Sequence, residues 1–245
     1  MKALVNLLRF LALCAAPMVG FAADINALGG DPGLRSAAVL ITDANGRIIY
    51  GKDIDSVRAI ASITKLMTAM VVLDAGQDPD EKITVTKEDR DLVQLTGSRL
   101  EFGASLTRHE LLLLALMASE NRAASALGRA YPGGTDGFVA DMNRKAIDLG
   151  MDNSRFTDPA GLRPDNVATA ADLGLMLRAA SEYPTIRQAS TTTSHHVYPY
   201  QGRGPLRYGN TNRLLKSNSW QIEVSKTGYL NESGRCLVMQ AMIDG

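Results

Sequence analysis

The chain has 245 residues, 45% hydrophobic and 21% charged, with 26 basic and 26 acidic side chains and a formal charge of zero. That is the make-up of an ordinary globular protein with enough apolar material for a sizeable core. Balanced charge without lysine or arginine runs excludes a nucleic-acid binder, because duplex binding rests on clustered cations that neutralise phosphates.

The first 22 residues read as a secretory signal peptide: Lys2 and Arg9, an apolar run from Leu11 to Met18, and a small-residue exit at Gly20-Phe21-Ala22. The run is too short to span a bilayer, so no stable membrane anchor is expected after cleavage. Leu13 stands before Cys14 where lipoprotein processing wants a small residue, which argues against a lipid anchor. Losing Lys2 and Arg9 leaves 24 basic against 26 acidic groups, a mature charge of −2. Cys14 leaves with the leader, so Cys236, in "RCLVMQAMI", has no intramolecular disulfide partner and is expected to be a small buried hydrophobe. Three histidines without H-E-x-x-H, no Cys/His cluster, no G-x-G-x-x-G and no P-loop imply no metal, nucleotide or other cofactor.

Residues 23–245 read as one domain. "SAAVLITDANGRIIYGK" predicts a β-hairpin around the turn Asp43-Ala-Asn-Gly46. "AIASITKLMTAMVVLDAG", residues 59–76, predicts an apolar helix with Leu66, Met70 and Leu73 at helical steps. After the irregular or short-strand stretches "ITVTKED" and "VQLTGSRLEFGASLT" come helical patterns in "TRHELLLLALMASENRAASALGRAY" and "GFVADMNRKAIDLG". "TAADLGLMLRAASEY" opens with Thr169 and Asp172 spaced as a capping box. Past Pro184 the β signals return, with "SWQIEVSKTGYL" and "RCLVMQAMI" flanking the turn "NESG". The expected architecture is α+β: one antiparallel sheet built from both termini, with a helical lobe over about 61–190 inserted and a cleft between the two.

Three motifs carry the chemistry. Ser62-Ile-Thr-Lys65 puts a hydroxyl and an amine on one helix face. Alone it fits a Ser-capped helix start with a solvated lysine as well as it fits a nucleophile beside a desolvated base. Ser119-Glu-Asn121 breaks an apolar stretch; a turn with capping side chains explains it, and so does a hydroxyl relay beside an amide that grips a peptide backbone. Lys226-Thr227-Gly228 is either a strand running into a turn or an edge strand that receives substrate, with Lys226 and Thr227 holding a carboxylate and Gly228 allowing close approach.

In that order, S-x-x-K, S-x-N and K-T-G resemble the penicillin-binding, active-site-serine D,D-peptidases and the β-lactamases of the same transpeptidase fold. Over nearly the whole mature chain, "LGMDNSRFTDPAGL", "NTNRLL" and "SKTGYLNESGRCLVM" are most similar to the periplasmic D-alanyl-D-alanine endopeptidases of that family. The resemblance implies that Ser62 is the nucleophile, Lys65 its general base and Ser119, with Lys226 nearby, the proton donor to the leaving amine. It further implies that Asn121, Lys226, Thr227 and Gly228 bind substrate, and that the backbone N–H groups of Ser62 and Tyr229 form the oxyanion hole. The implied partners are peptidoglycan stem peptides and, as covalent inhibitors, β-lactam antibiotics; the implied location is the periplasm.

The motifs leave a D,D-carboxypeptidase open, since both substrates place a carboxylate beside the scissile bond. A β-lactamase and a non-catalytic cell-wall binding module are further alternatives. The closing "MIDG" puts a hairpin turn at the end of the chain, so the family's C-terminal strand and helix are expected to be missing.

Overall fold

A computed structural model describes residues 32–217 and 220–243. The proposed leader and the closing Asp244-Gly245 turn lie outside the described residues.

The first hairpin forms as expected, β1 (Val39–Thr42) against β2 (Ile48–Lys52), with the Asp43 carboxylate accepting from the backbone of Asn45 and Arg47 to close the turn. The two-residue strands β3 (Arg58–Ala59) and β6 (Val167–Ala168) pair with each other and bracket the first four α-helices. Between them run α1 (Thr64–Asp74), the ladder of β4 (Lys82–Thr84) with β5 (Ser105–Thr107), then α2 (Arg108–Met117), α3 (Asn121–Arg129) and α4 (Gly134–Asp148). After β6 come α5 (Ala170–Ser181), α6 (Pro184–Thr191) and the ladder of β7 (Ser194–Val197) with β8 (Leu206–Gly209). The chain closes on a long hairpin, β9 (Gln221–Leu230) and β10 (Gly234–Met242).

The core centres on α1, which is buried on every side from Thr64 to Val72 and packs against α2 to α6. A helix apolar all round has no solvent face to present, and neighbours must enclose it. Local chemistry sets the ends of the surrounding helices. Thr107 and Glu110 form a reciprocal capping box at the start of α2. At α5 only half of the expected box forms: Thr169 Oγ1 accepts from the Asp172 N–H, but the Asp172 carboxylate turns outward to Asn153 N and Ser154 Oγ. Pro184 begins a helix where the return of strand was expected, because proline at the first helical position lacks only an N–H that would have had no partner.

The α+β class holds, but the two terminal hairpins do not join into one sheet. Among the described residues β1–β2 and β9–β10 are separate two-stranded ladders, both resting against α5. A helix about 10 Å across can underlie two ladders without bringing their edges to the roughly 4.8 Å at which strands pair. Cys236 is free and half-buried against the core.

Candidate active site

Four segments converge on the start of α1. Ser62 lies in a 3-10 turn, Ala61–Ile63, that leads into the helix; Ile63, not Ser62, stands at the helix N-cap, so the Ser62 hydroxyl is not spent on capping. Ala61, just before it, holds a left-handed backbone at φ 49°, a conformation that non-glycine residues avoid.

Lys65, one residue inside α1, is fully buried. Its Nζ donates to Ser62 Oγ at 2.9 Å, Asn121 Oδ1 at 2.8 Å and the Ala160 carbonyl at 2.6 Å. Burial pushes its pKa down to about 8, opposed by the carboxylates of Asp158, Glu120 and Asp91. The three acceptors differ in one respect: the amide oxygen and the carbonyl can only accept, whereas Ser62 also carries a proton. When Lys65 is neutral, Ser62 is therefore the one of the three that can donate into its lone pair.

The Ala160 carbonyl is aimed by a turn built on Asp158, whose carboxylate gathers the backbone N–H groups of Ala160, Gly161, Leu162 and Arg163. The same turn sends the Pro159 carbonyl to Thr68 Oγ1 at 2.6 Å. Gly161 lies so close to the Ser62 segment that a Cβ there would fall 2.0 Å from the Ala61 carbonyl oxygen. This turn was missed as part of the site, although Asp-Pro-Ala-Gly in "FTDPAGL" is a readable turn signal.

Ser119, Glu120 and Asn121 are a helix stop, a cap and a helix start. Ser119 adopts φ 57° just past α2, and the next N–H, of Glu120, reaches back to the Leu114 carbonyl in the closure that usually employs glycine. Glu120 then caps α3 through the Arg122 N–H and accepts from Ser98 Oγ at 2.6 Å. Asn121 accepts from Lys65 and gives one amide hydrogen to Thr96 Oγ1 at 2.9 Å, leaving the other for a ligand. The capping explanation holds for this triplet, and it leaves the Ser119 hydroxyl and one Asn121 amide hydrogen available for chemistry.

Lys226 is 1% exposed, and its Nζ donates to Ser119 Oγ and to the Thr227 carbonyl, each at 2.9 Å. Burial, with the Lys65 charge adding to it, holds its pKa well below the usual lysine range. Lys226 thus serves Ser119, and two of its three possible donors are engaged within the protein. The Thr227 hydroxyl is more open and shares a 2.6 Å hydrogen bond with Thr211 Oγ1, a contact that "NTNRLL" did not reveal. Gly228 rests on the Ser62 segment, where a Cβ would come 3.1 Å from Ser62 N. Amide groups alternate edges along a strand. Leu230 N donates to Ser233 on the β10 side, which turns the Tyr229 N–H to the opposite edge, away from β10.

The structure thus brings Ser62, Lys65, Ser119, Asn121, Lys226, Thr227 and Gly228 into one cluster. The arrangement can activate a hydroxyl with a neutral amine, relay a proton through a second hydroxyl and hold an extended peptide along β9.

A family model described as D-alanyl-D-alanine carboxypeptidase (peptidase S11) matches residues 30–245. The chain is 45% identical over 212 residues to a D-alanyl-D-alanine endopeptidase of Pseudomonas aeruginosa, covering 86% of this chain and 68% of that one. It is 42% identical over 242 residues to the D-alanyl-D-alanine endopeptidase of Escherichia coli, covering 98% and 78%. A D-alanyl-D-alanine carboxypeptidase structure from Mycobacterium tuberculosis superposes with a TM-score of 0.77 at 29% identity, over 89% of this chain and 82% of that one.

Proposed function

The chain belongs to the D-alanyl-D-alanine carboxypeptidase family of serine peptidases, and from that premise we propose that it is a D,D-endopeptidase that hydrolyses D-alanyl-diaminopimelyl cross-links in peptidoglycan. The reading rests on one observation above the others, the hydrogen bond that the fully buried Lys65 Nζ donates to the Oγ of the half-buried Ser62. Neutral Lys65 takes the Ser62 proton as Oγ attacks the D-Ala carbonyl. The oxyanion develops between the N–H groups of Ser62 and Tyr229. As the C–N bond breaks, Ser119 protonates the leaving amine and Lys226 restores the Ser119 proton. Water then attacks the ester, its proton passing to Lys226 through Ser119 while Lys65 returns its proton to Ser62 Oγ, which releases the acyl group and regenerates the resting site. Asn121 and Thr227 hold the peptide, and Gly228 lets it approach. The sequence pattern of a secretory leader over residues 1–22 supports a periplasmic site of action.

Penicillins are expected to acylate Ser62 and stay. The carboxylates whose charges act on Lys65 are already engaged: Asp158 by its turn, Glu120 by Ser98 and Arg122, and Asp91 by the N–H groups of Val93, Gln94 and Thr96 and the Thr96 hydroxyl. None is a free base for a deacylating water, which argues against a β-lactamase.

Incubation with purified cross-linked muropeptides tests the assignment. Monomers should accumulate, and a fluorescent penicillin should label the protein but not its Ser62→Ala variant. Release of free D-alanine with dimers left whole would make it a carboxypeptidase, and no labelling of the wild type would make it a binding module.

A further inference from the structure

Two adjoining clefts lie beside the catalytic cluster and have no part in the mechanism above. The first, of 450 Å³, is lined by Ser98, Arg99, Ala118, Glu120 and Tyr208 among others. The second, of 620 Å³, continues from Arg99 and Tyr208 to Arg207 and Lys216. Ala118 and Glu120 bracket Ser119, so the first cleft opens on the flank of the hydroxyl that protonates the leaving amine.

The lining is built for an anion. Tyr208 is 3% exposed, faces both clefts, and its hydroxyl has no hydrogen-bond partner among the described residues. A buried hydroxyl without a partner is unfavourable unless a ligand completes it. The Arg99 guanidinium lies over the Tyr208 ring, 4.0 Å from its centroid, and lines both clefts. Among the described residues Arg99, Arg207 and Lys216 enter no salt bridge. Glu120 brings the opposing charge, and its carboxylate is turned to Ser98 and Arg122.

We propose that this groove binds carboxylates of the leaving peptide, the strand that carries the released amine, beyond the one beside the scissile bond. The inference rests on the endopeptidase reading. Free D-alanine ends at its own carboxylate and would leave the groove empty, whereas the leaving strand of a cross-link continues and carries further acidic groups. The groove is then what separates a large polyanionic leaving group from a single amino acid.

The test compares cross-link cleavage with penicillin acylation, which brings no leaving strand. In Arg99→Gln/Lys216→Gln and in Tyr208→Phe the ratio of the two rates should fall about tenfold, through KM, the scale expected for losing one charge-assisted hydrogen bond. A dimer with the remote carboxylates of its leaving strand amidated should lose the same factor with wild type and nothing more with the variants. An unchanged ratio, a parallel fall in penicillin acylation, or additive losses would overturn the groove and leave the endopeptidase reading standing. Wild-type protein that frees D-alanine from a pentapeptide but leaves dimers whole would overturn both.

Discussion

At the scale of single residues, the site turns on Lys65. With its pKa lowered to about 8 by burial, the neutral base is the minority form at pH 7, and Ser62 acylation by a penicillin should rise about tenfold per pH unit up to about 8 before levelling. A stopped-flow pH profile checks this; Lys65→Arg, whose guanidinium stays charged, should lack the rise. The same shift couples to folding. Between pH 8 and 10.5 the unfolded chain binds the Lys65 proton and the folded chain does not, so stability rises with pH across that window and is flat below it. The urea midpoint of the wild type should climb from pH 8 to pH 10 relative to that of Lys65→Met, which lacks the titrating group.

Ser119 poses a different problem, a non-glycine residue in an unfavourable backbone conformation. Its φ of 57° suits glycine, and Ser119→Gly should be more stable than Ser119→Ala by about 1 kcal/mol, since both lose the hydroxyl and only alanine retains the left-handed penalty. Urea unfolding of the pair measures it, and both should be slow in substrate acylation.

At the scale of elements, the site is a meeting of a 3-10 turn, the Asp158 turn, the break between α2 and α3, and β9. Two glycines set how closely they meet. Gly161→Ala combines φ 73° with a 2.0 Å clash on backbone and should lower stability by about 2–4 kcal/mol, visible as a large drop in Tm. Gly228→Ala meets neighbours at 3.1 Å without a φ penalty, so its cost should be roughly 1 kcal/mol or less. Its damage should instead appear as slowed penicillin acylation, because β9 moves off Ser62. Equal losses of stability in both variants would contradict this division. Both hairpins and the apolar helix were legible in the sequence, since turn residues and hydrophobic period are local signals. The start of α6 was not, and the half-formed box at Thr169 failed because Asp172 found better-placed donors in Asn153 and Ser154. Those donors lie far along the chain, where no short-range pattern reaches.

At the scale of the whole molecule, α5 supports both terminal hairpins, and among the described residues β10 pairs with no strand but β9. Leu237, Met242 and Ile243 are exposed along it. An apolar, unpaired strand edge is a template for pairing with another chain. The protein should therefore self-associate with rising concentration in sedimentation velocity, and Leu237→Lys should suppress this without altering penicillin labelling.

The sequence by itself determined the chemistry: a hydroxyl and an amine one helical turn apart, S-x-N, and K-T-G in order are local patterns, and their residue types dictate what they can donate, accept or attack. Tertiary structure alone decided how that chemistry is powered. The desolvation of Lys65, the aim of the Ala160 carbonyl, the commitment of Lys226 to Ser119 and the unpartnered Tyr208 hydroxyl all depend on groups brought together from distant parts of the chain. Burial and hydrogen-bond partnership are properties of three-dimensional neighbours, and a sequence records its neighbours only along the chain.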